Sequence, residues 1–310
     1  MRKRAWTLPG ALVLGLGLWA VAQGQSKEQL GKVNFPNSCS PAVQETFQRG
    51  VAMLHSFRYG ETEKTFREVL AQDPTCGIAA WGIAAILMDN PLAGVGPSKE
   101  WAERGMAAVE QGKQIGAKTQ RELDYIAAVA AYWEDWPNRP ERTRQVNRAR
   151  AYEALAARYP QDDEAQIFSA LYTAGTQTLV DQSYKAYLTA AETLEKQFAK
   201  HPDHPGVAHY LIHSYDAPPI APKGLPAARR YAGIAPAAPH ALHMPSHIFT
   251  RVGAWAESVE TNTRSATASR RDNDGDQQVH AMDYMMYAFL QLGRDADARR
   301  VLDETGLVVP

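Results

Sequence analysis

Apolar residues recur at three- and four-residue steps through residues 42–76, AVQETFQRGVAMLHSFRYGETEKTFREVLAQDPTC. That is the period of a helix buried on one face, and it appears in both halves of the stretch. Gly60 is expected at the turn between the halves, and Asp73-Pro74 stops the second one. The same exit recurs. ARAYEALAARYP ends on Pro160, AAETLEKQFAKHP on Pro202 and AARRYAGIAP on Pro236, with Pro202 and Pro236 one 34-residue step apart. Further helices are expected over 78–89, 98–115, 119–134 and 163–175. The last pair is DQQVHAMDYMMYAFLQLGR and a short closing helix at 294–304. A helix pair cannot bury its apolar face alone, so six or seven such pairs must stack.

Composition agrees. Ala is abundant while Val and Ile are sparse, which favours helix over strand. With 310 residues, 45% of them hydrophobic, the chain can bury a large core.

Gly50 in the first helix, Tyr59 after the turn, Phe66 in the second helix and Pro74 at its exit resemble the tetratricopeptide (TPR) repeat. The resemblance covers most of residues 40–305. It implies an all-α fold, a right-handed α-solenoid of stacked antiparallel helix pairs. It says little about function, because such repeats serve many roles.

The N-terminus reads as a targeting segment. MRKR is followed by the apolar WTLPGALVLGLGLWA and by Ala20-Val21-Ala22, an A-x-A cleavage pattern. The expected organisation is a signal peptide over 1–22, a linker over 23–40 and the solenoid over 41–310. The bacterial style of the segment implies a periplasmic or secreted protein with no membrane span after cleavage; an uncleaved anchor is the alternative. The mature chain would carry 30 basic and 34 acidic residues, net charge −4. No basic stripe points to nucleic acid.

In an oxidising compartment the only two cysteines, Cys39 and Cys76, have the option of pairing. They bracket the first helix pair, so a disulfide would clasp it; two buried free thiols are the other reading. In a solenoid whose units touch only their neighbours, that clasp should leave distant units unaffected.

The candidate chemistry is histidine. HYLIHSYD starts at His209 and HMPSHIFT at His243, and each has a second histidine four residues later. Seven of the nine histidines lie between 204 and 280. The TPR resemblance implies that the first helix of each unit lines a concave groove. The groove positions then take His209, His213 and Asp216 from one unit and His240, His243 and His247 from the next. The last unit supplies His280, Asp283 and Tyr287, after an insertion near RRDNDGDQ that lengthens its step to 40 residues.

Helices pack about 8–10 Å apart, so imidazoles from two of them can meet one ion. The first reading is a transition-metal site in residues 203–293, with His209, His213, His243 and His247 as core ligands. Asp216, His240, His280 and Asp283 are then further ligands or the groups that orient the imidazoles. Imidazole suits Zn, Cu, Ni or non-haem Fe alike. The second reading is an assembly scaffold whose groove grips a peptide or partner protein, with the histidines as contacts or pH-sensitive struts.

Catalysis has less support. HYLIH and HMPSH lack the glutamate of zinc-protease motifs, and no phosphate loop, haem site or nucleophile elbow is present. Pro245, between His243 and His247, either kinks the helix or restarts it and moves His243 off the shared face. Met244, Met282, Met285 and Met286 could favour copper, but their spacing fits core positions. YWEDW at 132–136 reads as a packed helix end. As a whole, the histidine pattern resembles exported bacterial TPR-repeat proteins of uncertain role.

Overall fold

The computed structural model describes residues 28–308, so the expected signal peptide and its cleavage site lie outside the described residues. The fold is an α-solenoid of antiparallel helix pairs. The pairs are α1 (Gln44–His55) with α2 (Tyr59–Gln72), α3 (Gly77–Ile86) with α4 (Lys99–Ile115), α5 (Gln120–Trp133) with α6 (Glu141–Arg158), and α7 (Asp163–Ala174) with α8 (Lys185–Lys200). Then come α9 (Pro205–Ser214) with α10 (Leu225–Ile234), the broken helix α11 (Pro239–His243) and α12 (Pro245–Val252) with α13 (Trp255–Asp272), and α14 (Gly275–Gln291) with α15 (Asp295–Thr305). Among the described residues no helix is long and apolar enough to cross a membrane.

Local chemistry sets the ends. α2, α6, α8 and α10 each stop two residues before an exit proline, at Gln72, Arg158, Lys200 and Ile234. The residue before each proline leaves the helical region, with ψ turned to between 56° and 87°, away from the α conformation that clashes with the proline ring. Thr119 and Glu122 form a reciprocal cap on α5, and Asp162 and Asp274 cap α7 and α14. Gly50 lets α1 approach α2, since a Cβ there would meet the Phe66 ring at 3.0 Å.

Two expected breaks are different in the structure. Gly60 lies in the first turn of α2; the turn itself is residues 56–58, with Phe57 in the left-handed region at φ 50°. The insertion expected near RRDNDGDQ is taken up at the helix ends and not in a long loop. Arg270–Asp272 extend α13 until Asn273, also left-handed, caps it. YWEDW closes α5, with Tyr132 and Trp133 buried and the Trp133 indole donating to the Ala84 carbonyl.

The solenoid is tightly wound. One hydrophobic cluster runs from Leu30 to Phe249, and α1 packs against α9 as well as against α2 and α3. The described part of the expected linker is a strap across this curl. Lys32 N–H donates to the Asp203 carbonyl, Ala237 N–H to the Gln29 carbonyl and Ser38 N–H to Glu122. Phe35 is fully buried between Phe47, Trp81 and Tyr125. The expectation that each unit touches only its neighbours therefore fails here: curvature brings the first pair against the fifth.

Cys39 and Cys76 are joined by a disulfide, with Cα atoms 4.9 Å apart. Reducing it should cost about 3–4 kcal/mol by loop-closure entropy. Intact mass with and without reductant checks the bond, and thermal melts of the two forms check its effect.

Candidate metal centre

Six histidines come together from three successive inner helices. His209 and His213 are on α9, His240 and His243 on α11, His247 on α12 and His280 on α14. They form two triads, not the single four-histidine set expected. In the first, ligand nitrogens of His209, His213 and His240 all lie within 4.8 Å of one another; in the second, those of His243, His247 and His280 do. His240 and His280 thus complete triads as equals of the four histidines expected as core ligands.

Pro245 explains how α11 and α12 present three of these rings. It removes one backbone donor, so the helix bends there. Met244 keeps helical dihedrals, and the path continues through Met244 N–H to the His240 carbonyl. His243 ends one segment and His247 sits in the first turn of the next, yet their Nε2 atoms are 2.9 Å apart. The helix restarts at Pro245 without moving His243 off the shared face.

The protons can be placed. His209 Nδ1 is 2.7 Å from the His55 carbonyl oxygen, which only accepts, so Nδ1 carries the hydrogen and Nε2 a lone pair. His240 Nδ1 donates to Gln277 Oε1 at 3.2 Å, which leaves its Nε2 as a lone pair too. These two Nε2 atoms face each other at 3.2 Å, and His213 Nε2 lies 3.1 Å from His209 Nε2.

In the second triad, Asn262 is oriented by donating Nδ2–H to the Ser258 carbonyl, so its Oδ1 receives His243 Nδ1–H at 2.7 Å. His247 Nδ1–H donates to Asp216 Oδ2 at 2.8 Å, and Arg251 holds the other Asp216 oxygen at 2.8 Å. His243 and His247 therefore also point lone pairs at each other. Facing lone pairs repel unless a cation lies between them. A proton is disfavoured in that role, because burial first, and the neighbouring imidazoles second, push His209, His213 and His243 well below the usual histidine range. Burial takes His240 down to about 3.

A third cluster shows the contrast. His55, Glu164 and His204 are buried together, but every donor meets an acceptor. Val207 N–H donates to His204 Nδ1, and His204 Nε2–H donates to Glu164 Oε1. His55 Nε2–H donates to Glu164 Oε2, and the Tyr210 hydroxyl meets His55 Nδ1. Burial alone would raise the Glu164 carboxyl; the imidazoles of His204 and His55 outweigh it and hold it far below the ordinary carboxylate range. This cluster is a strut. Gly206 makes room for it, since a Cβ there would sit 2.3 Å from His55 Nδ1.

No protein family and no curated relative matches this chain. Among solved structures, MamA aligns at a TM-score of 0.41 and 15% identity, over 59% of this chain and 99% of that one. The site stands on its own geometry.

Of the expected residues, Asp216 orients His247 and belongs to neither triad. Asp283 is exposed and joins neither triad. Four contributors went unpredicted. The His55 carbonyl reaches the site from the end of α1 and Phe57 from the turn that follows, where it stacks on His240 at 5.6 Å and meets His209 edge-on at 4.5 Å. Gln277 and Asn262 fix two tautomers. No sequence signal marked Asn262: TNTRSATASRR has no apolar stripe, and the burial of Thr261, Asn262, Ser265 and Ser269 is seen only in the structure. Met244 and Met282 are core residues, and neither is placed as a ligand.

Proposed function

We propose that this helical scaffold, exported across the bacterial inner membrane, binds transition-metal ions through its inner histidines. One observation carries the reading. Imidazoles whose Nδ1–H groups are fixed by outer acceptors turn their Nε2 lone pairs toward one another in a buried place. That is the arrangement of a metal-ligating histidine, whose second nitrogen donates to a carbonyl, amide or carboxylate. Three imidazoles leave a coordination position open on a tetrahedral ion. All-nitrogen donors suit Zn, Cu, Ni and non-haem Fe.

The competing reading is a scaffold that grips a peptide or partner protein. It gains nothing from histidines that face one another at 2.9–3.2 Å, since those nitrogens are turned away from any incoming chain.

Asp216→Asn provides a test that leaves every ligand in place. The amide is isosteric but a weaker acceptor for His247 Nδ1–H, so metal affinity should fall about 10–100-fold. Competition with a chromophoric chelator measures it. Unchanged affinity in the variant would remove Asp216 from the site.

A further inference from the structure

The two triads have separate supports. The first is held by the His55 carbonyl and Gln277, the second by Asn262 and Asp216, with no orienting group in common. Each offers three nitrogens, the number that holds one ion while leaving a position open. The triads also abut. The His213 and His247 rings have centroids 5.6 Å apart, and those of His240 and His243 are 6.0 Å apart. The less buried members, His213, His247 and His280, stand on the more open side of the cluster, while His209, His240 and His243 close it from within.

From this geometry we infer that the histidine cluster is a dinuclear centre: two late first-row ions, one per triad, close enough to share a small bridging ligand. The inference rests on the metal-binding reading above and goes beyond it in number, placement and coupling. A lone ion placed among the four histidines first expected would have to draw ligands from both triads. Two ions satisfy every facing pair of lone pairs without moving any ring from its outer partner. Paired ions in two-metal sites lie about 3.5–4 Å apart and clamp oxygen or nitrogen ligands between them. Phe57 and Tyr284 border the two triads, Phe57 against His209 and His240, and Tyr284 against His243 and His247. They limit what can bridge to a small anion or a small diatomic molecule.

The experiment loads the tag-free mature protein with Cu(II), removes unbound copper, and measures copper per chain together with its electron paramagnetic resonance. About two ions per chain are expected, with a spin signal well below the copper content or a half-field transition from coupled pairs. His240→Asn and His280→Asn should each drop the content to about one and restore the ordinary signal of an isolated Cu(II). If a variant does not fold, the wild-type stoichiometry and spectrum decide alone. Two ions with the full signal of isolated Cu(II) would overturn the paired centre. One ion per chain, lost in both variants, would overturn it too and leave the metal-binding reading intact. No retained copper would overturn both.

Discussion

Saturating metal should raise the melting temperature of chelator-stripped protein by about 5–15 °C. An ion that binds only the folded state adds about 2.7 kcal/mol at a hundredfold excess over Kd and about 4.1 at a thousandfold. In a chain of this size each kcal/mol is about 2–4 °C. The effect should be large because the stripped site is itself unfavourable. Lone pairs of His209 and His240 face at 3.2 Å, and those of His243 and His247 at 2.9 Å, in a place where burial resists a proton. A bound ion would remove a repulsion as well as add bonds. Differential scanning calorimetry with Zn(II) or Cu(II), against the same protein in chelator, reads the shift. Coincident melts in metal and in chelator would mean that the histidines are not ligands.

Glu164→Gln should destabilise the fold by about 3 kcal/mol, more than any single exposed substitution. The carboxylate receives N–H groups from both His55 and His204 in a fully buried position. A glutamine of the same shape accepts one of them and turns its own NH2 against the other, leaving a buried donor unpaired. The pH dependence follows from the carboxyl's lowered pKa. In the unfolded chain it takes a proton near the ordinary glutamate value, in the fold only at far lower pH. Its contribution is therefore complete above about pH 5 and is lost as pH falls toward its folded value. Wild type should lose stability steeply on acidification below pH 5, and the variant should lose less over the same window. Urea melts across that range check both the size and the slope. The effect should also reach the proposed metal site, because His55, anchored by Glu164, lends its carbonyl to His209. A variant equal to wild type in stability at pH 7 would show that the strut is dispensable.

The helices could be read from the sequence because their signals are local. Apolar spacing placed the pairs, and the exit prolines marked four helix ends through a clash with the preceding residue. The six inner histidines were legible for a related reason: 34- and four-residue steps relate His209, His213, His243 and His247 on successive first helices, His240 lies three residues before His243, and a 40-residue step from His240 reaches His280. Their sorting into two triads was not. It depends on how far α11 and α12 bend at Pro245 and on which outer acceptor captures each Nδ1, and sequence spacing reports neither.

The link between the first helix pair and the site was hidden for a different reason. Local repeats describe each unit against its neighbours, whereas the tight winding that sets the His55 carbonyl against His209 accumulates over many small rotations. Phe57 was unreadable because a bulky residue in the left-handed region runs against its own propensity and is held there by the rings it touches.

The most direct measurement is elemental analysis of the chain from residue 23 onward, produced without a histidine tag, reconstituted with a mixture of Zn, Cu, Ni and Fe and freed of loose ions by gel filtration. At least about one tightly held transition-metal ion per chain is expected, removed only by strong chelator. Less than about 0.1 ion per chain, from protein shown to be folded by its helical circular dichroism, would contradict the metal centre.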